Sequence, residues 1–262
     1  MTSSISSYLT IFTTLTSLII ILTKEERYVL VLTYCYSCLY SFLYQISSVK
    51  TLNFKACLSR SKCDACHHQL AWFELFPIFS YLLLKTRCRY CQQKIPLTNF
   101  VGEVLAISLF FLVYFSVTII HSQLLISTFL FFLVLSINDI ESMTIDLRIL
   151  IIFVIVTSTF THVFIISFII VTLSAHLFYI VSRSSIGYGD ILVISALSLF
   201  FPLSFLTILL IITFLLAGMI ALCILIFRRI IALPLVPFIF VAFILNSLFY
   251  DNVCRFLGGY YI

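Results

Sequence analysis

The chain is a series of long apolar runs separated by short polar breaks. Most runs approach the roughly 20 residues that a helix needs to cross a bilayer core of about 30 Å. They lack the alternation of polar and apolar positions that is typical of the roughly ten-residue strands of a membrane β-barrel. The pattern therefore predicts membrane-spanning helices. The predicted spans are approximately 6–23, 28–47, 101–120, 123–138, 148–161, 163–181, 191–203, 205–227 and 230–249.

The number of spans depends on how the short or adjoining runs are divided, and both eight and nine fit. The first run is followed by the polar stretch KEER at 24–27, so residues 6–23 could be a signal-anchor or an additional helix. Composition supports a membrane protein, because 10% of the residues are charged, whereas about 25% are charged in an ordinary soluble domain. We predict an all-α polytopic membrane protein with about eight transmembrane helices.

One long polar interval, residues 48–100, sets the orientation of the chain. By the positive-inside rule its basic residues make it cytoplasmic. Spans counted forward from it make the loops 139–148 and 183–190 cytoplasmic as well, while the loops near His121, His162 and Pro202 carry no Lys or Arg. The net charge of +5 then reflects orientation and contact with anionic lipid headgroups, and it requires no nucleic-acid partner. The basic residues of the interval are Lys50, Lys55, Arg60, Lys62, Lys85, Arg87, Arg89 and Lys94.

The polar interval contains two C-x-x-C pairs, which are Cys63 with Cys66 and Cys88 with Cys91. Each pair lets two sulfurs converge on one ion from a tight turn, and four thiolates complete a tetrahedral zinc site. The alternative is two disulfides or four unrelated thiols, and a reducing cytoplasm argues against disulfides. We predict a structural zinc site held by these four cysteines. The neighbouring His67 and His68 are interpreted as surface residues, and Cys35, Cys38, Cys57, Cys223 and Cys254 as small apolar residues.

The segment between the two pairs, LAWFELFPIFSYLLL at 70–84, is apolar. It is shorter than a comfortable span and contains Pro77. Both cysteine pairs must also return to the same side of the membrane. We expect the segment to lie in the membrane interface or to pack beneath the zinc site.

Four acids stand at the cytoplasmic ends of apolar helices: Asp139, Glu141 and Asp146 in one stretch, and Asp190 in another. A carboxylate at the edge of the hydrocarbon is costly and marks function by default. The alternative for Asp190 alone is a helix N-cap, because aspartate accepts hydrogen bonds from the free N–H groups of a first turn.

Gly187 and Gly189 precede Asp190 in a G-x-G-D turn. We expect them to adopt positive φ and to let another chain approach the carboxylate closely. Two aspartates that share one proton can act as general acid and general base in amide hydrolysis. The sequence leaves open whether Asp139 and Asp190 meet, because about 50 residues and two predicted helices separate them.

These motifs resemble the type IV prepilin peptidases, and most closely the Gram-positive competence type. The likeness runs from about residue 57 to the last helices and is densest in SRSKCDACHHQLAWFELFPIFSYLLLKTRCRYCQQKI. Asp139 matches the first catalytic aspartate of the family's D-x-x-x-x-x-I-P motif, and Asp190 matches the second, in G-x-G-D. The family proline is Asp146 here, and Leu192 stands where many members have lysine.

The resemblance implies an aspartic endopeptidase of the bacterial plasma membrane whose active site faces the cytoplasm. Its substrates would be prepilins or pseudopilins, cleaved after a short basic leader, in support of competence pseudopilus, type IV pilus or type II secretion assembly. Residues 1–47 would be N-terminal transmembrane segments, 48–100 a cytoplasmic tetra-cysteine loop, and 101–262 the transmembrane peptidase domain. Family members often also methylate the new N-terminus with S-adenosylmethionine. That cofactor stays open here, because the six glycines form no G-x-G-x-x-G loop.

Two other classes of function remain. A polytopic transporter or channel could use Asp139 and Asp190 as ion ligands or proton carriers, but it would need more polar residues near mid-bilayer. A zinc-stabilised scaffold without catalysis would keep the four cysteines and tolerate loss of both aspartates. Presenilin-like proteases share the G-x-G-D turn and lack the zinc loop.

Overall fold

The computed structural model describes residues 24–49, 62–63, 65–84, 86–115, 121–182, 186–227 and 233–256. The predicted first span, 6–23, lies outside these residues, as do Lys50, Lys55, Arg60 and Lys85 of the basic interval.

The described residues form helices and contain no β-strand beyond two isolated bridges. A 3₁₀ helix, Trp72–Leu75, lies between the cysteine pairs. The α-helices are α1 (Lys24–Ser48), α2 (Phe79–Leu83), α3 (Leu97–Phe115), α4 (Ser122–Ser142), α5 (Leu147–Ser158), α6 (Ile165–Val181), α7 (Tyr188–Ser198), α8 (Leu203–Phe227) and α9 (Val236–Phe256).

The predicted all-α polytopic architecture is confirmed. Five helices, α1, α3, α4, α8 and α9, are long and apolar enough to cross a bilayer, and α5, α6 and α7 are shorter apolar helices. These eight correspond to eight of the predicted spans. Two of the shorter helices, α5 and α7, end earlier than predicted, because apolar turn residues continue the hydrophobic pattern after the helix stops. With 11 residues, α7 is only about 16 Å long, roughly half of a bilayer core.

The centre of the bundle is α4, which has 14 buried residues. It packs against α1, α3, α5 and α9. Aromatic rings fill the contact with α5, where Phe132 and Phe153 meet edge to face with centroids 5.5 Å apart. By contrast, α8 is the most apolar candidate span and one of the least buried, as expected of a helix that faces lipid. Asp139 therefore belongs to the most enclosed helix of the protein.

The end of α4 is a tight reversal into α5. Met143 adopts a left-handed conformation with φ of 53°, and its N–H donates to the carbonyl of Asp139 at 2.9 Å. After three further residues, Asp146 caps α5 by accepting from the N–H of Arg148, and its other oxygen pairs with the Arg148 guanidinium at 2.7 Å. Asp146 has a φ of −76°, which a proline also adopts. Aspartate can therefore replace the family's proline without changing the backbone at this position.

Candidate active site and cysteine cluster

Asp190 lies in the first turn of α7, and Gly187 is the N-cap residue. The Asp190 N–H donates to the Gly187 carbonyl at 3.1 Å, and Oδ2 of Asp190 lies 3.1 Å from the place where a Cβ of Gly187 would be. The alternative that Asp190 is the N-cap residue is wrong, because Gly187 takes that position and no side-chain hydrogen bond caps the helix.

The expected positive φ of the glycines is wrong for Gly187, whose φ is −67°. The expected approach of another chain to the carboxylate stays a prediction. Within the chain, a Cβ atom at Gly189 would lie 2.8 Å from Cδ1 of Ile145, which is closer than real Cβ atoms come, and 3.3 Å from its Cβ, which is tighter than most Cβ contacts. Glycine therefore lets the start of α7 rest directly on the loop that follows α4.

The Asp139 carboxylate is buried, with 5% of the residue exposed. Its Oδ2 accepts a hydrogen bond of 3.1 Å from the backbone N–H of Val236, the first residue of α9. Pro237 follows in the first turn, where a missing N–H has no cost. Sequence reasoning missed this contact, although the run LPLVP at 233–237 is a helix-start signal that could have drawn attention to it.

Asp139 of α4 and Asp190 of α7 interact electrostatically. Asp190 is half-buried, and the Val236 N–H holds the orientation of the Asp139 carboxylate. Two carboxylates that approach each other closely can share a proton and act as acid and base.

Glu141 and Asp146 take no part in this contact. They line a polar cavity of about 300 Å³ between the ends of α1 and α4, together with Ser47, Asn138 and Arg148. The Asn138 amide donates to the Ser47 hydroxyl at 2.7 Å, and Arg148 donates to the Ser47 carbonyl at 3.0 Å. These bonds fasten the end of α1 beside the aspartates.

The four predicted zinc ligands form one cluster. The sulfurs of Cys63, Cys66, Cys88 and Cys91 all lie within 4.8 Å of one another, and those of Cys63 and Cys91 are 3.8 Å apart. Zinc–sulfur bonds of about 2.3 Å would place tetrahedral thiolates about 3.8 Å apart, whereas a disulfide needs about 2.05 Å. The donor set therefore fits a metal ion of this type.

The two cysteine pairs have the same backbone geometry. In the first, the Cys63 carbonyl accepts from the N–H four residues on, at His67, and in the second the Cys88 carbonyl accepts from Gln92. His67 and Gln92 both have positive φ, 55° and 59°. The position of His67 is thus determined by the turn. Backbone N–H groups of Cys66 and Ala65 lower the pKa of the Cys63 thiol to about 7, which favours a metal-binding thiolate.

Two family models match successive parts of the chain. Residues 30–117 match the bacterial peptidase A24 N-terminal domain, and residues 126–226 match the type IV leader peptidase family. The chain belongs to the type IV leader peptidase family. The first match contains the cysteine cluster and the second contains Asp139 and Asp190. Val236, which bonds to Asp139, lies beyond both matches.

Several curated relatives are named prepilin leader peptidase/N-methyltransferase. One from Vibrio cholerae serotype O1 is 33% identical over 86 residues, which are 32% of this chain and 34% of the relative. One from Myxococcus xanthus is 38% identical over 74 residues, 28% of this chain and 22% of the relative. The chain thus aligns with about a third or less of the length of these leader peptidases. No solved structure matches.

Proposed function

We propose that this protein is a membrane-embedded aspartic endopeptidase that removes the leader from prepilins or pseudopilins, with Asp139 and Asp190 as its catalytic pair. The observation that carries the proposal is the electrostatic interaction between two carboxylates that are about 50 residues apart in the chain. Membership of the leader peptidase family and the names of the relatives support the same activity.

The aspartate pair would hydrolyse the peptide bond by general acid-base catalysis. One carboxylate removes a proton from water as the water oxygen attacks the scissile carbonyl carbon, and the protonated partner donates to the carbonyl oxygen. Collapse of the tetrahedral intermediate breaks the C–N bond, and the leaving amine takes up a proton. The short α7 suits this chemistry, because Asp190 lies in its first turn and the pair is left at the edge of the membrane, where water and an extended peptide can enter.

The distribution of basic residues supports a cytoplasmic position for this edge by the positive-inside rule. A substrate with a basic leader in the cytoplasm and an apolar helix in the bilayer would present its cleavage site at the same level. We infer a location in the bacterial plasma membrane and a role in pseudopilus or pilus assembly, with the competence system as the specific case.

We also propose that the four cysteines hold a structural zinc ion. The ion would supply no chemistry to hydrolysis. It would fix the two turns to each other and so give the loop between α1 and α3 a defined shape, since a closed tetrathiolate site leaves no position for substrate. N-methylation of the new N-terminus with S-adenosylmethionine is a second step that the names of the relatives suggest.

Cleavage of a co-expressed prepilin-like substrate tests the proposal. Wild type, Asp139→Asn and Asp190→Asn are compared at matched protein levels, with Asp251→Asn in α9 as the control. We expect the first two variants to accumulate without cutting and the control to cut normally. Mass spectrometry of the product identifies the cleaved bond and any added methyl group.

Normal cleavage by either aspartate variant would contradict the assignment. A chain that leaves the substrate intact in all forms but changes ion flux would favour the transporter alternative, and one without either activity would favour the zinc-stabilised scaffold.

A further inference from the structure

We propose that residues 70–84, the segment between the two cysteine pairs, form a re-entrant hairpin that enters the bilayer beside α1 and α3 and contacts lipid acyl chains. This inference goes beyond the peptidase assignment and does not depend on it.

The depth of the hairpin can be read from Glu103, where α1 and α3 meet. The Ser41 hydroxyl of α1 donates to Oε1 of Glu103 at 2.7 Å, and the Ser37 hydroxyl donates to the Glu103 carbonyl at 3.3 Å. Glu103 is six residues into α3 and Ser41 is seven residues before the end of α1. At a rise of about 1.5 Å per residue, their contact lies about 10 Å in from the neighbouring ends of both helices.

The hairpin makes three contacts at increasing distance from the ends of α1 and α3. Tyr81 stacks on Phe100 near the start of α3, with ring centroids 4.4 Å apart. The backbone N–H of Ile78 donates to Oε2 of Glu103 at 2.7 Å.

Phe76 reaches furthest. Its ring centroid is 6.2 Å from that of Tyr34, a residue about 20 Å from the Ser48 end of α1. Since Tyr28–Ser48 is a candidate span, the turn of the hairpin lies well within the hydrophobic thickness.

The backbone at this turn has partners inside the protein, which is what non-helical backbone at membrane depth requires. Ile78 has a positive φ of 64°, and the N–H of Phe79 donates to the carbonyl of Pro77 at 2.6 Å. Pro77 has no N–H. Oε2 of Glu74 accepts from the Ala71 N–H at 2.8 Å. Glu74 and Glu103, two buried acids outside the catalytic pair, therefore accept hydrogen bonds from the backbone of the hairpin.

The outer surface of the hairpin is apolar and unusually exposed. Leu82 is 60% exposed, and Leu75, Phe76 and Phe79 are about 40% exposed. This surface lies at the level of exposed Val101, Val104 and Leu105 of α3, in a helix that spans the membrane. Exposed Lys62, Arg87 and Lys94 flank the cysteine cluster, where they can meet anionic headgroups. Lipid is therefore the occupant that matches the surface.

Depth-dependent quenching of tryptophan fluorescence tests the hairpin, because the chain contains one tryptophan, Trp72. In a Trp72→Phe background, a single tryptophan is introduced as Phe79→Trp or Leu82→Trp. Phe111→Trp on the exposed face of α3 is the lipid control, and Tyr90→Trp beside the cysteine cluster is the aqueous control. Each protein is reconstituted in phosphatidylcholine vesicles with or without bromine on the acyl chains, and iodide is the aqueous quencher.

We expect brominated lipid to quench the Phe79→Trp and Leu82→Trp probes at least half as strongly as the Phe111→Trp probe, with little quenching by iodide. If both probes fall below half of the lipid control, the hairpin is not in the bilayer and the proposal is overturned. Peptidase activity of the same preparations reports separately on the aspartate pair, so failure of one proposal is distinguishable from failure of the other.

Discussion

Gly189 at the start of α7 rests directly on Ile145 in the loop after α4, and there is no room for a side chain between them. The contact holds the first turn of α7, and with it Asp190, against the loop that follows the helix of Asp139. We expect this glycine to influence the spacing of the two carboxylates.

Gly189→Ala should reduce cleavage by about tenfold or more while the protein still accumulates. The added Cβ would meet Cδ1 of Ile145 at 2.8 Å and its Cβ at 3.3 Å. A rotamer change can move Cδ1 but not Cβ, so the two backbones must also shift apart slightly. Displacement of a catalytic group by about 1 Å can cost up to about 100-fold. The initial rate of prepilin cleavage at matched protein level is the measurement.

The control for this variant is Gly218→Ala in α8, where an added Cβ meets nothing within 4 Å. It should cleave at the wild-type rate. Equal rates for Gly189→Ala and wild type would show that the spacing of the pair does not depend on this contact.

Cys63→Ser should lower the yield of folded protein more than it lowers the activity of the protein that remains. The proposed zinc ion would hold the two cysteine turns together and would take no part in hydrolysis. Zinc content by mass spectrometry should be about one ion per chain in wild type and should fall in the variant. Cys223→Ser, at an exposed position of α8, is the matched control. Normal yield with abolished cleavage would instead point to a role of the cluster in catalysis.

Asp146→Ala should destabilise the protein by about 1 kcal/mol, because α5 loses its N-cap. The salt bridge to Arg148 adds little to this value, since the side chain of Arg148 is about a third exposed. Asp146→Asn, which can still cap, should lose less. Thermal unfolding in detergent compares the two variants with wild type, and equal losses would assign the effect to the ion pair.

Glu103→Gln should weaken the junction of α1, α3 and the hairpin, because an amide offers one acceptor oxygen where the carboxylate offers two. Ser41 and Ile78 donate to different oxygens of Glu103. The Ser41 hydroxyl would have to turn and accept from the amide, and Asn99, which donates to the same oxygen at 3.4 Å, would lose its acceptor at a cost of about 1–3 kcal/mol. Ser41→Ala alone should cost less, and the two changes together should cost less than their sum. An additive result in a double-mutant cycle would contradict a shared site.

The sequence by itself determined the class of the protein, the positions of most helices and the identity of the chemical groups. The length of each apolar run follows from the thickness of a bilayer, and a C-x-x-C turn is a local feature, so both can be read from neighbouring residues. The boundaries of α5, α6 and α7 were less well predicted, because apolarity alone does not mark the end of a helix.

Only the tertiary structure decided which residues from different parts of the chain become neighbours. The interaction of Asp139 with Asp190, the Val236 N–H on Asp139, and the Glu103 junction each join residues far apart in the chain. Their proximity depends on how helices pack, and hydrophobic periodicity carries no information about which helices become neighbours. The φ of Gly187 was likewise mispredicted, because the need for glycine there and at Gly189 comes from the atoms that lie opposite, which the fold supplies.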